Sequence, residues 1–155
     1  VKSLFSPDDD MEAALVEEIS RATNSIYIMA FGLSDQQMFE ALSNQVARGV
    51  SVYVLFDLEL SRQRSSQSGP LRLAGATVRV SSNNGQMHHK VMVVDGHTVI
   101  TGSPNFSKSA FEQNDENALI FDCPPLARAF MREFDRCWRA KPYIWNKWSQ
   151  LPTAE

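Results

Sequence analysis

Lys90-Val-Met-Val-Val-Asp-Gly-His-Thr-Val-Ile-Thr-Gly102 decides the fold. Two apolar runs rich in β-branched residues flank Asp95 and Gly96. Asp-Gly between such runs is a strong hairpin signal, because the tight turn needs positive φ at both central residues. A two-residue turn sets Val94 opposite His97, Lys90 opposite Thr101 and His88 opposite Ser103. Side chains alternate along a strand, so His88, Lys90, Thr101 and Ser103 share one face and His89 points to the other. His97 falls at the turn, roughly 20 Å along the strand from His88. The three histidines therefore do not meet at one metal ion within a chain. Asp95 reads mainly as the turn residue.

Outward from the hairpin, the periodicity alternates between strand and helix. Ser6 and Pro7 read as the cap and first residue of a helix whose apolar face is Met11, Leu15 and Ile19. Residues 25–31 form an apolar run of strand length. Residues 35–48 read as a helix, with Gly49 at its C-terminal cap. Residues 50–56 are the next strand. The polar stretch 61–69 reads as a mobile loop. Residues 71–74 read as a helix tail stopped by Gly75, and 76–80 as a strand. After strands 88–94 and 97–102 the chain turns helical past Pro104, and residues 117–121 and 125–138 form a last strand and helix. This order predicts one α/β domain over residues 1–155, a mixed sheet flanked by helices.

The chain of 155 residues is 43% hydrophobic, which supports a real core and argues against disorder. No apolar run approaches the ~20 residues of a membrane-spanning helix. The net charge of −3 is no nucleic-acid signature, but its distribution is uneven. Residues 60–90 hold Arg62, Arg64, Arg72, Arg79 and Lys90 without one Asp or Glu, a local attraction for a polyanion. Cys123 and Cys137 fall at opposite ends of the last helix, roughly 20 Å apart, so free thiols are expected. With no CxxC pair, a structural zinc site is not expected. A first residue other than Met fits a removed export signal and a trimmed chain equally, so the compartment is unknown, and a periplasmic or secreted protein is favoured only if such a signal was removed.

The polar groups that converge are chemically matched. Lys90 brings positive charge, Ser103 and Asn105 bring donors, and the backbone after Pro104 adds N–H groups. Such a set suits a phosphate whose negative charge rises during reaction. His88 is the member able to act as nucleophile or proton carrier near neutral pH.

These residues resemble the HKD motif of the phospholipase D superfamily: His88-x-Lys90-x4-Asp95, then Gly102-Ser103-x-Asn105. Phe5-Ser-Pro7, Arg48-Gly-Val50, Ala74-Gly75 and Asn114-x-Glu116-Asn117 extend the likeness to the small single-motif members. Those are the bacterial endonucleases of the superfamily, with Zucchini-type mitochondrial members as cousins whose zinc-binding insertion is missing here. The resemblance implies metal-independent, cofactor-free chemistry through a covalent phosphohistidine. It assigns His88 as the catalytic histidine and Lys90, Ser103 and Asn105 as phosphate ligands. Glu116 matches the acid that accepts from the ring of the catalytic histidine. The chemistry asks for two histidines and the chain carries one motif, so a homodimer sharing its active site across a two-fold axis is expected.

The first functional expectation is a non-specific endonuclease acting on DNA, with RNA left open as a further substrate and Arg62 and Arg64 as candidates for the substrate groove. The alternative is a phospholipase D-type hydrolase of phospholipid or cardiolipin head groups. Stable membrane association is not expected, because there is no amphipathic helix with a basic face. Trp138, Trp145 and Trp148 read as core or dimer-contact residues. A binding module that keeps the fold without catalysis is disfavoured by the intact set of polar groups.

Overall fold

The chain opens with strand β1 (Lys2–Ser6), helix α1 (Met11–Arg21), strand β2 (Ser25–Ala30), helix α2 (Gln36–Ala47) and strand β3 (Ser51–Phe56). Two short helices, α3 (Leu58–Ser61) and α4 (Ser68–Leu73), lead to β4 (Thr77–Val80). The hairpin β5 (Lys90–Val94) and β6 (Thr98–Gly102) is followed by α5 (Lys108–Glu112), β7 (Glu116–Asp122) and α6 (Pro124–Arg139). This computed structural model describes residues 1–81 and 85–140; Trp145 and Trp148 lie outside them.

The strands form one mixed sheet in the order β1-β7-β6-β5-β2-β3-β4. β2, β3 and β4 run parallel, and β5 lies antiparallel to β2. The expected α/β architecture is therefore present. Alternation along the strands divides the core. Ile28, Phe56, Met92 and Val94 face α1 and α2, where they meet Leu15, Ile19, Met38 and Leu42. Met29, Leu55, Val91, Val93 and Val99 face α6 and pack on Phe134 and Cys137. Each fully buried aliphatic side chain stabilises the fold by roughly 1.5–3 kcal/mol, so the two layers hold the sheet from both faces. Trp138 belongs to the α6 layer: it stacks on Phe134, meets Tyr53 edge-on and lies under the Arg79 guanidinium.

Three local expectations are corrected. Ser6 does not cap α1. It ends β1 opposite Glu116, and its buried hydroxyl donates to the carbonyls of Ala110 and Asn114. Asp10 is the cap, accepting from the Ala13 N–H. An N-terminal strand on the sheet edge thus replaces the first turn read from Ser6-Pro7.

Residues 61–69 are not a featureless mobile loop. Ser61 and Ser68 are buried, and Ser68 Oγ donates to the Ser61 carbonyl at 3.0 Å. The serine hydroxyls satisfy backbone groups inside the turn, so a polar composition marks internal bonding rather than freedom.

The hairpin is one residue out of the expected register. Val94 pairs with Thr98 and Val91 with Thr101. The turn does close through His97 N–H to the Val94 carbonyl, with Asp95 and Gly96 both at positive φ. His97 is then an extra residue, its own carbonyl accepting from Cys123 N–H. Such a bulge puts two residues opposite one. Thr101 therefore shares a face with Val91, not with Lys90, and the expected alignment of His88 with Ser103 across a ladder does not occur. Carried one residue further, the register sets Lys90 opposite Gly102.

Candidate active site

Asp95 carries out the structural task read from the turn. Its carboxylate accepts from the backbone N–H groups of Thr23, Asn24 and Ser25 and from the Thr23 hydroxyl, at 2.8–2.9 Å. Burial raises its proton affinity, but these four donors outweigh it and hold the carboxyl below its usual range. The hairpin is thereby tied to the start of β2, far from His88.

At the other end of β5, Lys90 pairs with Ala30 of β2. Gly102 pairs with Ala118 of β7. The row Ala30, Lys90, Gly102, Ala118 crosses the sheet with small residues on both sides of the lysine, which leaves space above the strands. A Cβ on Gly102 would sit 2.1 Å from the Asn117 carbonyl oxygen, so a side chain there collides with backbone.

His88 and Lys90 meet in this space. Lys90 Nζ lies 3.1 Å from His88 Nδ1 and 3.2 Å from Nε2, and it donates to the His88 carbonyl at 3.1 Å. The Phe31 ring supports both: His88 tilts over it at 4.3 Å between centroids, and Lys90 Nζ lies 4.8 Å from its centre. Partial burial lowers the Lys90 pKa, while the charge of Glu116 opposes that shift. A lysine so placed is a positive charge beside an exposed imidazole.

Ser103 reaches the same corner by a different path from the one expected. The chain leaves the ladder at Gly102, and Ser103 N–H donates to the Asn117 carbonyl. The Ser103 hydroxyl donates to Glu116 Oε2 at 2.5 Å and accepts from Asn117 N–H at 3.0 Å. Asn114 donates to the other Glu116 oxygen. Glu116 is therefore oriented by Ser103 and Asn114, and the hydrogen bonds of the described residues do not include one from His88 to Glu116. Asn105 Oδ1 is buried without a partner among the described residues. Asn105 lines a cleft of about 210 Å³ with Gly32, Leu60, Gln63, Ser65 and Ser66. Arg62 and Arg64 are exposed in the same segment as Gln63.

The other two histidines stay apart, as their faces and positions imply. His89 Nε2 meets Glu133 of α6, and His97 Nδ1 meets Asp122 at the turn end. Both cysteines are free thiols. Two residues of the site escaped the sequence reading. Phe31 looked like the last apolar residue of a strand. Asp57 is buried and accepts from Met87 N–H, the residue before His88. An acid directly after an apolar strand is the only signal that marks Asp57.

Comparison with known proteins agrees with the geometry. Residues 15–138 match the family model described as "Cardiolipin synthase, PLD-like domain". The chain is 38% identical over 130 residues to a mitochondrial cardiolipin hydrolase of Xenopus laevis, covering 84% of this chain and 62% of that protein. It is 34% identical over 134 residues to a phospholipase D of Rickettsia prowazekii, covering 86% and 65%. It thus spans less than two thirds of those relatives. The fold superposes with a TM-score of 0.85 on Nuc from Salmonella typhimurium, a phospholipase D family member, at 32% identity and over 92% of this chain and 96% of that one. NucT from Helicobacter pylori has the same fold, with a TM-score of 0.84 at 24% identity over 92% and 98% of the two chains.

Proposed function

The chain belongs to the phospholipase D superfamily, and from that premise we propose that it is a phosphodiesterase that cuts nucleic acid, DNA first, by way of His88. The observation that carries this reading is the meeting of His88 with Lys90 on the Phe31 ring, beside Ser103 and Glu116.

In the proposed reaction an imidazole nitrogen of His88 attacks phosphorus. The P–N bond forms, the P–O bond to the leaving group breaks, and a second imidazole gives that oxygen its proton. The second imidazole then takes a proton from water. The hydroxide attacks phosphorus, the P–N bond breaks and His88 is restored. Lys90 and the Asn105 amide hold the non-bridging oxygens, where charge develops, and the Ser103 hydroxyl joins them by turning from Glu116 to the phosphate. Glu116 sets the polarity of the corner through Ser103. The second imidazole is His88 of another copy, so the working unit is a homodimer with one shared site. No metal or other cofactor has a step in this scheme.

Nucleic acid is favoured by charge. Arg62 and Arg64 are exposed and flank Gln63, which lines the cleft with Asn105, within a stretch free of acids. Contacts with the phosphate backbone carry no sequence information, so cleavage with little sequence preference follows. The second reading, a hydrolase of cardiolipin or phospholipid head groups, draws on the Xenopus relative's name. No helix of the described residues is long and apolar enough to cross a membrane.

The deciding experiment gives the purified protein supercoiled DNA, single-stranded DNA, RNA and phospholipid vesicles, each with excess EDTA. Nicking that persists in EDTA and disappears in His88→Ala supports the proposal. Head-group release without nicking selects the lipid reading. A strict need for added metal refutes the mechanism.

A further inference from the structure

The face of the sheet away from His88 holds a second cluster of reactive groups. His89 turns toward α6, where Glu133 and Cys137 stand one helical turn apart on the same side. His89 Nε2 lies 3.1 Å from Glu133 Oε1, and Cys137 Sγ lies 3.4 Å from that same oxygen. All three ligand atoms fall within 4.8 Å of one another. Cys137 is buried at the base, while His89 and Glu133 are half-buried at the mouth.

We propose that His89, Glu133 and Cys137 form a zinc site, with solvent as the fourth ligand. Zinc takes nitrogen and oxygen at about 2.0 Å and sulfur at about 2.3 Å in a tetrahedron, which places neighbouring ligand atoms roughly 3.3–3.5 Å apart. Two edges of the cluster already have nearly that length. One thiolate, one imidazole and one carboxylate suit a borderline-soft ion better than magnesium or calcium, which prefer oxygen alone.

Arg136 now neutralises the cluster. Its Nε donates to Glu133 Oε2 at 2.8 Å, and its Nη2 donates to Oε1 at 2.6 Å and to Cys137 Sγ at 3.3 Å. The guanidinium thus puts positive charge on two of the three ligand atoms, which is the need a cation would meet. Arg136 is largely exposed and can withdraw Nη2 from Oε1 and Sγ. Its Nε bond to Oε2 can remain and orient the carboxylate from the outer side. On binding, the Cys137 thiol gives its proton to solvent and His89 binds as the neutral ring.

The consequence is a clamp. His89 is the covalent neighbour of His88, and its carbonyl accepts from Phe31 N–H at 2.8 Å. A metal on His89 would fasten α6 to the segment that carries the proposed nucleophile, from the opposite side of the sheet. The inference stands whether or not His88 is catalytic.

The test is a calorimetric titration of zinc chloride into the full chain after EDTA treatment and dialysis. One zinc per chain is expected, with affinity falling at least tenfold in both Cys137→Ser and His89→Gln. His89 is partly exposed and Cys137 is buried, so the second variant keeps the fold even if the first loosens it, and circular dichroism checks both. Cobalt(II) in place of zinc should give a thiolate-to-metal charge-transfer band that Cys137→Ser lacks. Failure of the wild-type chain to take up zinc, or wild-type affinity in both variants, overturns the site.

Discussion

The backbone N–H of Met87 donates to the buried carboxylate of Asp57 at 3.0 Å, one residue before His88. That carboxylate has two tasks. Oδ1 caps α3 by accepting from Glu59 and Leu60, and Oδ2 holds Met87. An amide can accept at one position only, and its NH2 group would face an N–H at the other. Asp57→Asn should therefore cost about 1–2 kcal/mol of stability, by urea unfolding. It should also slow phosphodiester cleavage at saturating substrate by more than that loss accounts for, because the backbone of His88 is released. A wild-type rate in the folded variant would make Asp57 a cap and nothing more.

Gly102 makes a sharper prediction about the floor of the site. Its missing side chain lets the Asn117 carbonyl pass, and Ser103 N–H bonds to that carbonyl at 3.0 Å. Gly102→Ala must push β6 and β7 apart at this point. Forcing a methyl into a packed position costs about 1–3 kcal/mol. The same movement should pull Ser103 from Glu116. The measurements are thermal unfolding and cleavage rate, and both should fall. An unaltered melting temperature would show that the strands yield freely.

At the far side of α1, burial, then the hydrogen bond and charge of Asp35, and then the charges of Glu112 and Asp10 push the Glu12 carboxyl up to about 7. A carboxyl with a raised folded pKa holds its proton more tightly in the native state. Its stabilising contribution is present below the unfolded value of 4.5 and is lost as pH climbs to about 7. Glu12→Gln mimics the protonated form at every pH and keeps an acceptor for Gln37. The variant should match the wild type near pH 4 and melt at a higher temperature at pH 8. Equal melting curves at pH 8 would show that Glu12 ionises without cost.

Periodicity made the sheet, its flanking helices and the histidine faces readable, because burial on two sides of a strand leaves a record in every second residue. What it could not convey was competition between local and distant bonds. Asp95-Gly96 specifies a turn, yet whether His97 pairs or bulges depends on its carbonyl reaching Cys123 at the entry to α6. Ser6-Pro-Asp carries every local mark of a helix start, and pairing with β7 overrides it. The site residues were read as one face of a ladder, and that register does not form: Ser103 approaches the corner of Lys90 because the chain leaves β6 at Gly102, not because it stands opposite His88. Phe31 and Asp57 lie outside any motif spacing, since their roles depend on what the sheet brings beside them.

Arg62 and Arg64 test the substrate class. If they touch backbone phosphates, replacing both with Ala removes two counterion-releasing contacts. The log–log dependence of DNA affinity on salt should flatten by about 1 to 2 units, with weaker binding at low salt and an intact fold. Binding to vesicles of neutral phospholipid should not change. An unaltered salt slope would take the segment 61–69 out of the DNA path.

The shared site makes the most demanding prediction. One copy supplies one His88, so the proposed reaction needs two intact subunits. Mix wild-type protein with His88→Ala, allow the subunits to exchange, and measure DNA nicking in EDTA. Random pairing makes the fraction of fully intact dimers the square of the wild-type fraction. An equal mixture should therefore retain about a quarter of the undiluted wild-type activity, whereas independent subunits would retain about half. His88→Ala leaves the Asp95 anchor and both cores untouched, so exchange itself can be verified with differently tagged chains. Activity that tracks the wild-type fraction linearly, with exchange confirmed, would mean that each chain works alone and that a single imidazole both attacks phosphorus and manages the proton.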